Sequence, residues 1–129
     1  MPAASAIKVM VVDDQTSMRA MIRRTLQDLG FRDVRDKASA IEALEDIRAN
    51  RVHLVISDYN MPEMDGLQFL EEVRKDAVIG KTVFIMLTAS AEKEIVQKAA
   101  QMGVNNYVVK PFTPAALKEK IERVFGGLS

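Results

Sequence analysis

Five side chains suited to phosphoryl or metal chemistry stand directly where apolar runs of this sequence end. They are Asp13 and Asp14 after VMVV, Asp58 after LVIS, Thr88 after VFIML and Lys110 after YVV. Three ionised carboxylates about 5 Å apart would repel one another by roughly 3 kcal/mol per pair at an effective dielectric of about 20. Lys110 supplies one offsetting charge, and Mg²⁺, a hard ion with oxygen ligands, is suited to supply the rest. These residues therefore predict a metal-dependent phosphoryl site, provided that the fold brings them together.

The apolar runs that end at these residues predict β-strands. The predicted strands are Lys8–Asp13, Val34–Lys37, Leu54–Asp58, Val83–Thr88 and Asn106–Val109. All but the second are apolar on both faces, which is typical of central parallel strands covered by helices.

Segments with helical periodicity separate the strands, and capping residues mark their ends. The first helix is predicted over Ser17–Leu29, before Gly30, and the fourth over Ala91–Met102, before Gly103. The second begins at Ser39 and Glu42, the third at Asp65 and Gln68, and the fifth at Thr113 and Pro114. Helical spacing predicts their inward faces. The inward residues are Met21, Ile22, Thr25, Leu26 and Leu29 in the first helix; Ile41, Leu44 and Ile47 in the second; Leu67, Leu70 and Val73 in the third; and Leu117, Ile121 and Val124 in the fifth.

The strict alternation of strands and helices predicts an α/β fold of (βα)₅ type. Such alternation implies right-handed crossovers, a parallel sheet and helices on both faces. In such a sheet, ligands bind outside the carboxyl ends of the strands, where the strand order reverses. The five side chains are therefore expected to face one crevice.

Composition limits the other possibilities. The chain has 129 residues, the length of one domain, with 18 basic and 18 acidic residues and no cysteine. The lack of cysteine excludes disulfides, thiol nucleophiles and thiolate metal sites. No apolar run approaches the roughly 20 residues of a membrane span, and the first six residues lack the features of a signal peptide, so we expect a soluble, cytoplasmic protein. Balanced charge argues against nucleic acid as a partner.

Four motifs give the chain a family resemblance. They are VVDDQTSMR, ISDYNMPEMDGL, LTAS and YVVKPF, in this order. From about Ile7 to Phe125 the chain resembles the receiver domains of two-component signalling, in particular the single-domain chemotaxis regulators of the CheY type. The resemblance implies a doubly wound, flavodoxin-like five-stranded parallel sheet of strand order 2-1-3-4-5. It also implies a monomeric single domain over residues 1–129 without an output domain.

The resemblance assigns a role to each acidic residue. Asp58 corresponds to the phosphate acceptor, which takes a phosphoryl group from a phosphohistidine of a histidine kinase, here a chemotaxis kinase. Asp14, Asp58 and the backbone carbonyl of Asn60 would bind Mg²⁺ directly, and Asp13 would bind it through water.

Thr88 and Lys110 would contact the phosphoryl oxygens by the same resemblance. On phosphorylation Thr88 would move inward and Tyr107 would rotate into the space that Thr88 leaves. The Lys110–Pro111 peptide bond is a candidate cis bond. The readout surface would be the fourth helix, the fifth strand and the fifth helix, with a flagellar motor switch protein as the target. The domain would catalyse only its own phosphorylation and slow dephosphorylation.

Two positions differ from the best-known chemotaxis regulators. Tyr59 stands where tryptophan is frequent, and Ser90 stands where glutamate is frequent. Side chains at Asn60 and Ser90 flank the path of the hydrolytic water, so the lifetime of the phosphorylated state and the use of a dedicated phosphatase stay open.

Other interpretations remain at this stage. Within the same family, the chain could be a phosphate sink or a phosphorelay intermediate. A haloacid-dehalogenase-like phosphatase would need a general acid two residues after the nucleophile, where Asn60 stands, and a flavodoxin would need a first loop without the Asp13–Asp14 pair. Each acidic residue could also be a cap or turn former, and Tyr107 could simply pack. His53 is expected at the opposite end of its strand, without a chemical role.

Overall fold

A computed structural model describes residues 3–89 and 93–126 of the chain. The strands are β1 (Lys8–Val12), β2 (Asp33–Lys37), β3 (Leu54–Asp58), β4 (Val83–Thr88) and β5 (Asn106–Val109). The helices are α1 (Thr16–Asp28), α2 (Ala40–Ala49), α3 (Gly66–Lys75), α4 (Lys93–Gln101) and α5 (Pro114–Phe125), and a 3₁₀ turn at Ala4–Ala6 precedes β1.

The strands form one parallel sheet in the order β2-β1-β3-β4-β5, which confirms the predicted architecture and strand order. The order reverses between β1 and β3, so the crevice expected for ligands lies between their carboxyl ends. Val12 pairs with Ser57, Asp58 with Leu87, and Thr88 with Val109. This register brings the carboxyl ends of β1, β3, β4 and β5 to one edge of the sheet.

Two hydrophobic clusters cover the two faces of the sheet. Because side chains alternate along a strand, Val9 and Val11 face one cluster while Met10 and Val12 face the other. The first cluster includes buried residues of α1 and α5, and the second includes buried residues of α2 and α3. Burial on both faces fixes the strands, and hence their carboxyl ends, rigidly.

The predicted capping residues begin and end the helices as expected. Ser39 accepts a hydrogen bond from the amide of Glu42, and Thr113 accepts one from Ala116. Asp65 and Gln68 form both bonds of a capping box, whereas the structure gives only the Ser39 bond for α2. After α1 and α4, Gly30 and Gly103 adopt the left-handed conformation, with φ of 102° and 86°.

One predicted inward residue, Ile41 of α2, needs correction. Ile41 was expected in the core, but its side chain is 39% exposed. In α2 the buried positions are Ala40, Ala43, Leu44 and Ile47, whose spacing forms one helical face, and Ile41 lies about 100° around the helix from that face.

The predicted inward face of α3 is confirmed at Leu70 and Val73 and holds in part at Leu67. Its buried residues are Gly66, Phe69, Leu70 and Val73, whereas Leu67 is only partly buried at the border of the core. Ile41 is therefore the one predicted inward residue of these two helices that is exposed, because Ala40 and Ala43 occupy the inward face of α2.

The predicted start of the fourth helix at Ala91 and the unusual residue Ser90 lie outside the described residues. Within the described ranges, no helix has both the length and the apolar character needed to cross a membrane.

Candidate functional site

Three carboxylates meet at the carboxyl ends of β1 and β3. Ligand oxygens of Asp13, Asp14 and Asp58 lie within 4.8 Å of one another, which is close enough to share one metal ion. Asp13 is fully buried and Asp58 is 7% exposed, whereas Asp14 is exposed. The cluster is therefore open to solvent on the Asp14 side, from which a hydrated cation could enter.

Lys110, which follows β5, reaches into the same crevice. Its Nζ lies 3.1 Å from Asp58 Oδ1 and 3.3 Å from Asp13 Oδ2, and its side chain is 15% exposed. One ammonium thus faces three carboxylates, so negative charge remains in excess when all three are ionised. This excess favours a divalent cation with oxygen ligands, and the donor set fits Mg²⁺. We call Asp13, Asp14, Asp58, Thr88 and Lys110 the acidic crevice.

The Asp58 carboxyl titrates abnormally. Burial raises its pKa above the ordinary value of 3.8, because the charged form loses hydration. The hydrogen bond and the positive charge of Lys110 oppose this rise in pKa, and the negative charge of Asp13 adds to it. A buried carboxylate with a cation beside one oxygen can act as a nucleophile, because less hydration must be removed before it attacks.

Asp13 is fixed on several sides. The Gln15 amide donates to Asp13 Oδ1 at 2.9 Å, and Lys110 Nζ donates to Asp13 Oδ2 at 3.3 Å. Arg19 Nη1 donates to the backbone carbonyl of Asp13 at 2.7 Å, and Arg19 Nε contacts Asp36 Oδ2 at 3.0 Å. The peptide that joins Asp13 to Asp14 is therefore held from α1 and β2.

The backbone of Asp58 is packed against the start of α3. A Cβ at Gly66 would lie 2.7 Å from the Asp58 carbonyl oxygen and 2.8 Å from Tyr59 Cα. The Gly66 amide donates to the Tyr59 carbonyl at 2.7 Å, and the Tyr59 amide donates to Leu87 at 2.8 Å. The Ser57 hydroxyl donates to the Asp58 carbonyl at 3.0 Å. This packing holds the end of β3 and the following loop in a single position.

Thr88 and Lys110 meet at the ends of β4 and β5. Thr88 is 2% exposed, and its carbonyl accepts the Lys110 amide at 2.7 Å. The Lys110–Pro111 bond is cis, as predicted. The structure thus brings Thr88, Lys110 and the three aspartates to the same edge of the sheet, as the sequence predicted.

The remaining predicted residues lie around the crevice or away from it. Asn60 is exposed in the loop after β3. Tyr107 is half-buried and pairs with Met86, two residues before Thr88 in β4, and the Lys120 Nζ lies 5.3 Å from its ring centroid. His53 accepts a hydrogen bond from the Lys8 amide at the start of β1, so it lies at the opposite edge, as expected.

Sequence reasoning missed Arg19 and Gly66 as residues that shape the site. Arg19 lies six residues after Asp13, and Gly66 follows the N-cap of α3, so both residues are close in sequence to residues that were predicted to matter. The sequence carried no signal of their contacts with the backbone of Asp13 and Asp58, because those contacts depend on the packed fold.

An acidic cluster and a lysine at the switch point of a doubly wound parallel sheet define the class of receiver domains. Residues 9–122 match the family described as "Response regulator receiver domain". The chain therefore belongs to the receiver-domain family of two-component signalling.

Comparison with its relatives indicates which type of receiver domain the chain is. The chain is 43% identical over 128 residues to "Probable chemotaxis protein CheY" of Rhizobium etli, with 99% of each chain covered. It is 46% identical over 121 residues to "Chemotaxis protein CheY1" of Helicobacter pylori, covering 93% of this chain and 98% of the relative. Its fold is similar to that of Vibrio cholerae chemotaxis protein CheY4, with a TM-score of 0.86, 37% identity, and 96% and 99% coverage. The chain is thus a receiver of the single-domain CheY type, which supports a place in a two-component phosphorelay.

Proposed function

We propose that this protein is a phosphorylation-driven binding switch in chemotaxis. A histidine kinase would phosphorylate Asp58, and the phosphorylated domain would bind a flagellar motor switch protein in the cytoplasm. The observation that carries the proposal is the position of Lys110 Nζ, 3.1 Å from Asp58 Oδ1, inside a cluster of three carboxylates. Its likeness to chemotaxis proteins supports the choice of pathway.

The crevice fits a Mg²⁺ site. Asp14 and Asp58 would bind the ion directly together with the backbone carbonyl of Asn60, and Asp13 would bind it through water. Mg²⁺ would neutralise the oxygens of the transferring phosphoryl group when bound. Asp14 faces the solvent from which a hydrated ion would enter. Both carboxylate oxygens of Asp13 already have protein partners, the Gln15 amide and Lys110 Nζ, which suits binding through water.

Phosphoryl transfer would use Asp58 as the nucleophile. An oxygen of its carboxylate would form a bond to phosphorus while the bond between phosphorus and the kinase imidazole nitrogen breaks, leaving an acyl phosphate on Asp58. Lys110 would move from its two carboxylate partners to a phosphoryl oxygen, and the Thr88 hydroxyl would donate to another. The domain would thus catalyse its own phosphorylation and, with water, its own dephosphorylation, but no reaction of a separate substrate.

Phosphorylation would be read on the surface of α4, β5 and α5. Addition of about 1.5 to 2 negative charges beside Thr88 would draw its hydroxyl inward. Tyr107 of β5 pairs with Met86, which lies two residues before Thr88 on β4, at about 3.3 Å per residue. A change at Thr88 would therefore alter the space open to the Tyr107 ring. Its cation–π contact with Lys120 would couple that change to α5.

The first experiment tests the acceptor. The protein is incubated with acetyl phosphate and Mg²⁺, and incorporation of phosphate is followed by mass spectrometry. We expect one phosphoryl group on Asp58, none in Asp58→Asn, and normal labelling in the control Asp28→Asn, because Asp28 is an exposed aspartate on α1. Labelling of Asp58→Asn at the normal level would reject the proposed site, and labelling that persists in EDTA would reject the metal dependence.

The second experiment tests the target. Beryllofluoride with Mg²⁺ mimics the phosphoryl group, and binding is measured to a peptide from the N-terminus of a motor switch protein. We expect tighter binding with the mimic than with Mg²⁺ alone. If labelling of Asp58 succeeds but affinity does not change, the domain is better described as a phosphate sink or a phosphorelay intermediate.

A further inference from the structure

A second charged surface lies at the opposite edge of the sheet, where the strands begin. An open depression of about 700 Å³ is bordered there by residues from β1, the loop before β3, the loop before β4 and the end of α5. Its charged and apolar side chains include Lys8, Arg51, His53, Val78, Lys81 and Phe125. Strands of five or six residues, at about 3.3 Å per residue, separate this surface from the acidic crevice.

The depression carries unneutralised positive charge. Among the described residues that line it, Lys8, Arg51 and Lys81 are cationic and none is acidic. Within the described ranges, these three side chains form no ion pair, whereas nearby Arg48 is paired with Asp76. Three cations in a concave surface produce a positive potential that attracts and concentrates anions.

The surface is elongated, because two further depressions adjoin it at Arg51. One, of about 170 Å³, is also bordered by Lys8, Arg35 and Asp33. The other, of about 570 Å³, is also bordered by Val78, Lys81 and Arg74, and by Asp76, whose charge is paired with Arg48. Arg51 borders all three depressions and thus lies at the centre of a groove. We call this groove the basic groove. Its elongated shape suits an extended chain better than a compact small molecule.

The basic groove also offers a hydrogen-bonding imidazole ring and apolar contacts. The Lys8 amide donates to His53 Nδ1 at 2.9 Å, so a neutral His53 ring carries its proton on Nε2, which is a hydrogen-bond donor. Val78 is 63% exposed, the largest exposed fraction among the described large hydrophobic residues. Phe125 is only partly buried beside it. A ligand that matches the groove therefore carries both anionic and apolar groups.

We propose that the basic groove binds an extended acidic segment of a partner protein, with apolar side chains between its carboxylates. The acidic residues would pair with Arg51, Lys81 and Lys8, and an apolar residue would cover Val78. A flat anionic membrane would contact a concave groove poorly. RNA bases would need a row of exposed aromatic rings, and within the described part of the chain only two rings, Phe125 and His53, border the groove. The surface is separate from the phosphoryl site, so both could be occupied together.

The test uses the whole protein and a fluorescent peptide of alternating Glu, Asp and Leu residues, with binding followed by fluorescence anisotropy. We expect Arg51→Glu to weaken binding by about tenfold or more, because it reverses the central charge of the groove. The matched control is Arg24→Glu, which makes the same charge change at an exposed position of α1 and should alter affinity less than about twofold. Val78→Ser leaves the charge unchanged and should weaken binding several-fold.

The possible outcomes separate the alternatives. Amide shifts on peptide addition that cluster at Arg51, His53 and Lys81 would support the proposal, and Asp58→Asn should bind the peptide normally. Equal losses in Arg51→Glu and Arg24→Glu would show nonspecific attraction and overturn it. Binding of phosphatidylglycerol vesicles or an RNA oligonucleotide, without binding of the peptide, would also overturn it. Circular dichroism melting checks that each variant remains folded.

Discussion

A side chain at Gly66 would bring its Cβ to 2.7 Å from the backbone carbonyl oxygen of Asp58. Contacts this short are essentially absent for Cβ atoms in proteins, so the start of α3 is closed to any residue but glycine unless the backbone moves. Under the proposed mechanism this contact matters for function, because a side chain at position 66 would displace the backbone of Asp58, the proposed phosphate acceptor.

Gly66→Ala should therefore impair both folding and phosphorylation. We expect a loss of about 1–3 kcal/mol in the free energy of unfolding, as for other overpacked sites, measured by urea denaturation. Phosphorylation by acetyl phosphate should slow as well. Gly126→Ala is the control, because a Cβ there meets no atom of the described residues within 4 Å, although its φ of 75° costs about 1–2 kcal/mol. If Gly126→Ala slows phosphorylation as much as Gly66→Ala, the local explanation is wrong.

The contact between Gly66 and Asp58 also shows what the sequence could and could not predict. Asp58 was predictable as a site residue, because it ends an apolar strand and the carboxyl ends of parallel strands share one edge. The close approach of Gly66 was not, since it depends on the angle at which α3 packs. Ile41 was misplaced for a related reason: hydrophobicity alone does not reveal that Ala40 and Ala43 occupy the inward face. Side chains that bind backbone carbonyls, such as Arg19, leave no pattern in sequence.

The raised pKa of Asp58 predicts how stability changes with pH in metal-free solution. Because its folded pKa lies above the ordinary 3.8, the native state holds its proton more tightly than the unfolded state. Its contribution to stability is therefore fully present below pH 3.8 and is lost as the pH rises through the raised pKa.

Asp58→Asn cannot ionise and should escape this loss. Its stability relative to the unmodified protein should increase as the pH rises through that window, as measured by denaturant unfolding at a series of pH values in EDTA. Asp28→Asn makes the same substitution at an exposed position of α1 and is the control for any general effect of replacing an aspartate. A relative stability of Asp58→Asn that falls with rising pH would contradict the assigned direction of the pKa shift.

Lys110 is expected to contribute to phosphorylation and to compete with metal. Lys110→Met should slow phosphorylation by acetyl phosphate by about 10²-fold, since it removes a preorganised charge from the transferring group. It should also increase the stabilisation that Mg²⁺ gives, measured as the shift in melting temperature, because Asp13 and Asp58 lose their shared cation. Lys75→Met removes an exposed lysine paired with Glu71 and should change neither property. Unchanged phosphorylation in Lys110→Met would argue against its proposed role.

Arg74 joins the loops before β4 and β5. Its guanidinium donates to the carbonyls of Gly80, Thr82 and Gly103 and to Asn105 Oδ1, at 2.7 to 3.1 Å, and burial lowers its pKa. Arg74→Met should cost about 1–3 kcal/mol of unfolding free energy, because the part-buried carbonyls of Gly80 and Thr82 lose a charged donor. Hydrogen exchange should accelerate at both loops. Arg48→Met, which removes an exposed pair with Asp76, should cost less than about 1 kcal/mol.

Arg19 and Arg23 offer a sharper test of how the metal site is positioned. Both arginines pair with Asp36, Arg19 through Nε at 3.0 Å and Arg23 through Nη1 at 2.7 Å. Only Arg19 also reaches the backbone carbonyl of Asp13, at 2.7 Å. That carbonyl belongs to the peptide that leads to Asp14, so Arg19 should set the direction of the Asp14 carboxylate without touching the ion.

Arg19→Met should therefore weaken Mg²⁺ binding by about tenfold or more, the usual effect of losing a group that orients metal ligands. Arg23→Met removes the same charge and one contact with the same aspartate, so it should leave Mg²⁺ affinity within about twofold. Affinity can be read without phosphorylation, from the Mg²⁺ dependence of the melting temperature of each variant. Since both variants lose one positive charge near the acidic crevice, electrostatics alone would strengthen cation binding in both. Weaker binding in Arg19→Met alone would thus identify positioning of the Asp13–Asp14 peptide as the cause, whereas equal affinities in the two variants would rule it out.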